Sequence, residues 1–183
     1  VFFPQFFAAF MIPEGDKKEA PLLVPEDDVY IRKLKSILDS TCDKMPDLAF
    51  AANYDEMVKN RDAAKISAFL TLEDGRAVQG RMDKLEEFYS MGVRLISLTW
   101  NFANCFGYPN SDDRNLMQLG LTDFGKDAVK RMNELGMLVD ISHLSDGGFW
   151  DVMEVSSAPP IASHSNCRSL SPHRRNLSDE MIK

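Results

Sequence analysis

Histidine is scarce in this chain, with three in 183 residues, and so is cysteine, with Cys42, Cys105 and Cys167. The cysteines are odd in number and widely spaced, and no Cys-x-x-Cys occurs. That excludes a disulfide framework or a cysteine-rich zinc site and favours a reducing, cytoplasmic setting. Positive charge is short as well: 21 Lys and Arg stand against 28 Asp and Glu, for a formal net charge of −7. Basic residues form no stripe beyond Arg168, Arg174 and Arg175, so no nucleic-acid partner is expected. No apolar run is long enough to cross a bilayer. The opening VFFPQFFAAFMI is broken by Pro4 and Gln5, lacks a basic leader, and reads as a buried strand over roughly 6–12, so no membrane partner is expected. Absent too are a glycine-rich phosphate turn, which would mark a doubly wound nucleotide-binding sheet, and any antiparallel hairpin signal between strands. What is plentiful is ordinary: 44% hydrophobic and 27% charged residues, enough for one sizeable core in a single domain over 1–183.

The informative stretch is 136–165, GMLVDISHLSDGGFWDVMEVSSAPPIASHS. It holds two short apolar runs, MLVDI and PIAS, each ending in a histidine, His143 and His164. Such runs, opened by a helix stop or a proline pair and closed before the next helix start, read as buried parallel strands. Their carboxyl ends are where neighbouring strands aim side chains into one crevice. Upstream, a helix is expected from about Glu26 to Cys42, with Tyr30, Leu34, Ile37, Leu38 and Thr41 on one face. An extended piece or helix lead-in is expected over 48–52, and a helix capped by Asn53 runs to about Asp62. The strand ISAFLTLED ends at Glu73, a helix stops at Gly92, and the strand VRLISLTWN ends at Thr99, Trp100 and Asn101. A long polar loop over 102–120 precedes helices capped by Thr122, Ser145 and Ser178. Five β/α units result, which means a doubly wound sheet or a (β/α)8 barrel, and the polar strand ends favour the barrel. Glu73, His143 and His164 on separate strands form the ligand set of a hydrolytic zinc site with positions left for water. Asp140 has two readings, as a partner orienting an imidazole or as a barrel-interior residue satisfied by backbone. His173 reads as solvated, and the cysteines as small buried hydrophobes.

The stretches FFAAFMIP, AFLTLEDG, MGVRLISLTWNFAN, GLTDFGKDAVKRMNELGMLVDISHLS and APPIASHSNCRSLSPHRRNLSDE resemble the membrane, or renal, dipeptidase family of zinc peptidases. The Trp100-Asn101 pair, where the vertebrate pattern has a histidine at the first position, resembles bacterial relatives. The resemblance implies a (β/α)8 TIM barrel of which about five of eight units lie in this chain, without the first strand and the last two. It implies two zinc ions per complete barrel, with Glu73 bridging both and His143 and His164 ligating one of them. Arg175 would hold the C-terminal carboxylate of a dipeptide substrate, with Trp100 and Asn101 beside it, while a metal-activated water hydrolyses the peptide bond. The family's first-strand His-x-Asp pair and last-strand aspartate have no counterpart in these residues. The 1–183 chain alone is therefore expected to be inactive, and its open sheet edges favour association with other copies. Two alternatives stand beside this reading. One is another binuclear hydrolase of the amidohydrolase type, which would want a lysine where Glu73 stands; the other is a non-catalytic barrel that has lost one metal site.

Overall fold

The computed structural model describes residues 26–183; the strand expected over 6–12 lies outside them. Helix α1, Glu26–Lys44, buries Asp27, Ile31 and Leu38 with half-buried Leu34 and Cys42, a helical stripe. The expected face through Tyr30 and Ile37 is instead exposed, because the helix is turned so that the buried Asp27 carboxylate lies 3.5 Å from Arg76 Nε. Strand β1, Leu48–Phe50, leads into α2, Tyr54–Asp62, whose first turn is capped by Asn53 accepting from Glu56 N at 2.9 Å. Helix α2 buries no residue of its own and is tied down by Asn60, which donates to Phe50 O and to Ser67 Oγ, each at 3.2 Å.

The single strand expected to end at Glu73 divides at Phe69 into β2, Ile66–Ala68, and β3, Leu70–Glu73. β2 pairs in parallel with β1, and β3 pairs in parallel with β4, Val93–Ser97, with a register irregularity between Leu70 and Thr71 where the chain passes from one sheet to the next. All four residues of β3 are buried, the pattern of a parallel strand covered on both faces. A 3-10 helix, Gly75–Val78, and α3, Met82–Ser90, make the crossover to β4. It closes at Gly92, with φ +100°, where a Cβ would sit 2.6 Å from the Phe50 ring, so glycine is required on both counts.

β4 stops at Ser97, short of the expected Asn101, and a long loop carrying α4, Arg114–Met117, leads to α5, Asp123–Leu135. Thr122 caps α5 and Gly136 ends it with φ +71°, both as the sequence predicts. β5, Leu138–Asp140, pairs in parallel with β4, and α6, Asp146–Val155, follows with Ser145 as its cap. The strand expected from PIAS shrinks to one parallel bridge, Asp140 to Ile161. Pro159 and Pro160 have no N–H to give a ladder. Beyond Ile161 the Ser163 N–H goes to the Asp140 carboxylate and the His164 N–H to Ser142 Oγ, so side chains replace backbone pairing. A short α7, Asp179–Ile182, capped by Ser178, ends the chain.

The strands form an open parallel array in which β3, β4 and β5 lie side by side in chain order, with α3 packed on β4 and α5 on β5. No closed barrel exists among the described residues. No helix among them is long and apolar enough to cross a membrane.

Candidate metal centre

Glu73 is the last residue of β3, His143 stands three residues beyond β5, and His164 stands three beyond the Ile161 bridge. Chain-ordered parallel strands thus bring the three predicted ligands to one edge. Glu73 Oε1 lies 3.3 Å from His143 Nε2 and 3.2 Å from His164 Nε2, and the two imidazole nitrogens are 2.9 Å apart. A triangle with those edges has a circumscribed radius of about 1.8 Å. A point about 0.9 Å out of its plane is therefore about 2.0 Å from all three atoms, the length of zinc bonds to imidazole nitrogen and carboxylate oxygen. Glu73 and His143 are each 8% exposed, and Glu73 Oε2 is buried without a hydrogen-bond partner among the described residues. An orphaned anionic oxygen is costly in such surroundings, and a cation satisfies it. The donor set therefore fits a divalent metal.

Each imidazole is held through its main chain. His143 has φ +69°, a left-handed conformation that costs an L-residue about 1–2 kcal/mol. Its carbonyl accepts from Asn110 N at 2.8 Å, Asn110 Nδ2 at 2.9 Å and Thr99 Oγ1 at 3.3 Å, a clamp that over-determines the strained residue. The His164 carbonyl accepts from Arg175 Nη2 at 2.9 Å. Burial pushes the His164 pKa below its ordinary value; the Glu73 carboxylate opposes this, and His143 and Arg175 add to it. The imidazole is consequently neutral near pH 7, with a lone pair to offer.

Asp140 lies fully buried at the end of β5 and is satisfied in part by backbone N–H groups. Its carboxylate accepts from the Ser142 and Ser163 backbone N–H groups, each at 3.0 Å, from Ser163 Oγ at 2.6 Å and from Ser97 Oγ. Arg175 keeps Nε buried and unpartnered among the described residues, so one arm of its fork is engaged and another donor is free. Asn101 lines a cavity of about 440 Å³ together with Tyr108, Asn110 and Arg174, whereas Trp100 is half-buried and does not line it. His173 is exposed as expected, and its Nδ1 accepts from Arg175 N at 3.2 Å. Cys42, Cys105 and Cys167 are free and half-buried; Cys42 and Cys105 pack against the hydrophobic core. Sequence reasoning missed Asn110 and Ser163. The first sits in an irregular loop with no periodicity to single it out; the second could have been noticed only as the neighbour of a candidate ligand.

A parallel α/β array that gathers a carboxylate and two imidazoles at the carboxyl ends of its strands has the build of a metal-dependent hydrolase. The chain belongs to the membrane dipeptidase family, peptidase family M19, whose sequence model matches residues 4–183. It is 36% identical over 129 residues to an uncharacterised protein of Acinetobacter calcoaceticus from the PQQ-III 3' region, covering 67% of this chain and 40% of that protein. It is 29% identical over 182 residues to mouse dipeptidase 3, covering 98% of this chain and 35% of that one. A solved metallopeptidase of Rhodobacter sphaeroides, liganded with a phosphinate mimic of the dipeptide L-Ala-D-Ala, superposes with a TM-score of 0.74 at 27% identity, over 85% of this chain and 45% of that chain. The chain spans less than half the length of these relatives. The described residues correspond to part of a TIM-type barrel.

Proposed function

We propose that this chain carries one metal site and the substrate-carboxylate arginine of a zinc-dependent dipeptidase. The observation that carries the reading is the convergence of Glu73 Oε1, His143 Nε2 and His164 Nε2 on one point, beside a Glu73 Oε2 that is buried without a hydrogen-bond partner among the described residues. A zinc ion there supplies Lewis acidity toward a peptide carbonyl and toward water. The chain's own residues do the rest. His143 and His164 present their Nε2 atoms at fixed positions, held through their clamped carbonyls. Glu73 contributes the negative charge that keeps a cation in a largely buried site. Arg175 offers the substrate's terminal carboxylate a planar, charge-assisted donor, which suits a short peptide whose carboxylate lies close to its scissile bond. Trp100 and Asn101, past the end of the neighbouring β4, would meet the rest of the dipeptide.

The test is zinc content and dipeptide hydrolysis of the full-length protein, compared with its His164→Ala variant. The expected result is loss of one zinc per chain together with activity. Full zinc and full turnover in the variant would refute the ligand assignment.

A further inference from the structure

We infer that Ser163 and Asp140 are positioning residues which fix the tautomer of His164, so that Nε2 presents its lone pair to the metal site. The inference rests on the metal site proposed above, but the hydrogen-bond logic stands by itself. Asp140 receives four donors, Ser142 N and Ser163 N on Oδ1 and the Ser163 and Ser97 hydroxyls on Oδ2. Four donors fill the lone-pair positions of an ionised carboxylate and leave no place for a proton. Burial pushes the Asp140 pKa up, but the hydrogen bonds from Ser163, Ser97 and Ser142 outweigh it and hold the group below the ordinary aspartate value.

Ser163 has one hydroxyl hydrogen and two neighbours that compete for it. Asp140 Oδ2, 2.6 Å away, can only accept, so the hydrogen goes there. Toward His164 Nδ1, 2.7 Å away, the Ser163 oxygen can then only accept. His164 must therefore carry its hydrogen on Nδ1, and neutral Nε2 is bare where it faces Glu73 Oε1 and His143 Nε2. The Ser142 hydroxyl, 3.3 Å from Ser163 Oγ, fits the same direction, since that oxygen has a second lone pair to take its hydrogen. The result is a relay from carboxylate to hydroxyl to imidazole. A carboxylate more often touches a metal-bound histidine directly; here a serine is interposed, and Asp140 acts on His164 from the neighbouring strand. His143 has no such partner at Nδ1 among the described residues, so although both imidazoles are held through their carbonyls, only His164 is also held through its ring.

Two measurements test this on the full-length protein. In the metal-free state, the nitrogen-15 ring shifts of His164 should report hydrogen on Nδ1 in the wild type and a mixture of tautomers in Ser163→Ala. Zinc affinity, read by competition with a chromophoric chelator, should fall about 10- to 100-fold in Ser163→Ala, the usual loss when a ligand's supporting partner is removed. Ser163→Thr, which keeps the hydroxyl, should bind within a few-fold of wild type. Ser163 is exposed, so its truncation opens no core cavity. Hydrogen on Nε2 of the metal-free wild type, unchanged affinity in Ser163→Ala, or an equal loss in Ser163→Thr would each overturn the inference. If the wild type binds no zinc, the metal-site reading fails by itself, and the ring shifts still decide the tautomer.

Discussion

Replacing His143 separates two properties that its position combines, a ligand nitrogen and a left-handed backbone. His143→Ala and His143→Gly both delete the imidazole and differ by one methyl group. At an ordinary buried position alanine is the more stable, since glycine adds conformational freedom to the unfolded chain and forfeits the methyl's burial. Ala128, buried inside α5, supplies that reference: Ala128→Gly should cost about 1 kcal/mol. At position 143 the same two terms operate, but φ +69° adds a penalty of about 1–2 kcal/mol to alanine that glycine escapes. The alanine-to-glycine change should therefore be about 1–2 kcal/mol less damaging at 143 than at 128, making the glycine variant equal to or more stable than its alanine counterpart. For a chain of this size that corresponds to a difference of about 2–8 °C in thermal midpoint. The assay is thermal unfolding of the four proteins in chelator, which removes any metal contribution from the comparison. An alanine-to-glycine penalty at 143 as large as that at 128 would refute the claim that the histidine is held in strain.

Two further outcomes follow from the same site. Arg175→Lys should lower kcat/KM for a dipeptide about 10- to 100-fold more than for the corresponding dipeptide amide, because an ammonium cannot reproduce the planar fork, whereas the lost bond to the His164 carbonyl acts on both substrates alike; equal losses on both would remove Arg175 from carboxylate recognition. For Asp140 the folded pKa is depressed, so its contribution is present above the unfolded value and is lost as pH falls through the folded one, below about pH 4. The thermal-midpoint gap between wild type and Asp140→Asn should therefore narrow as the solution is taken from pH 6 to pH 2.5, and a constant gap would contradict an ionised, hydrogen-bonded Asp140.

What was legible in the sequence was local or periodic. Asn53, Thr122, Ser145 and Ser178 announce helix starts because a cap bonds to a backbone N–H only two or three residues on. Glu73, His143 and His164 could be picked out because a parallel array sends the ends of successive strands to one edge. The face of α1 was misjudged, since Tyr30 and Ile37 look as apolar as Ile31 and the helix rotation is fixed by distant partners, Arg76 on Asp27, Lys84 on Asp28 and Glu87 on Arg32. The PIAS segment reads as a strand by composition, but Asp140 and Ser142 capture its N–H groups, and those interactions span more than twenty residues. The Asn110 clamp crosses 33 residues from a loop without pattern, and nothing local marks it. Long-range side-chain to backbone bonds leave no period behind.

The two crossovers that build the inner sheet differ in length. Between Glu73 and Val93 the chain spends residues 74–92, and between Ser97 and Leu138 it spends 98–137, about twice as many, most of the excess lying in the loop that walls the cavity. Closing a loop twice as long adds only about 0.6 kcal/mol of entropy, less than one hydrogen bond of the kind Asn110 makes. Length in that segment is nearly neutral for folding provided its anchorages persist, among them Asn110 on the His143 carbonyl, Ser145 Oγ on the Leu119 carbonyl, Leu121 N on the Asp151 carboxylate and Thr122 N on the Phe106 carbonyl. Insertions and deletions between those anchors can accumulate without threatening the scaffold, and the residues facing the cavity can diversify while the ligand triangle stays put.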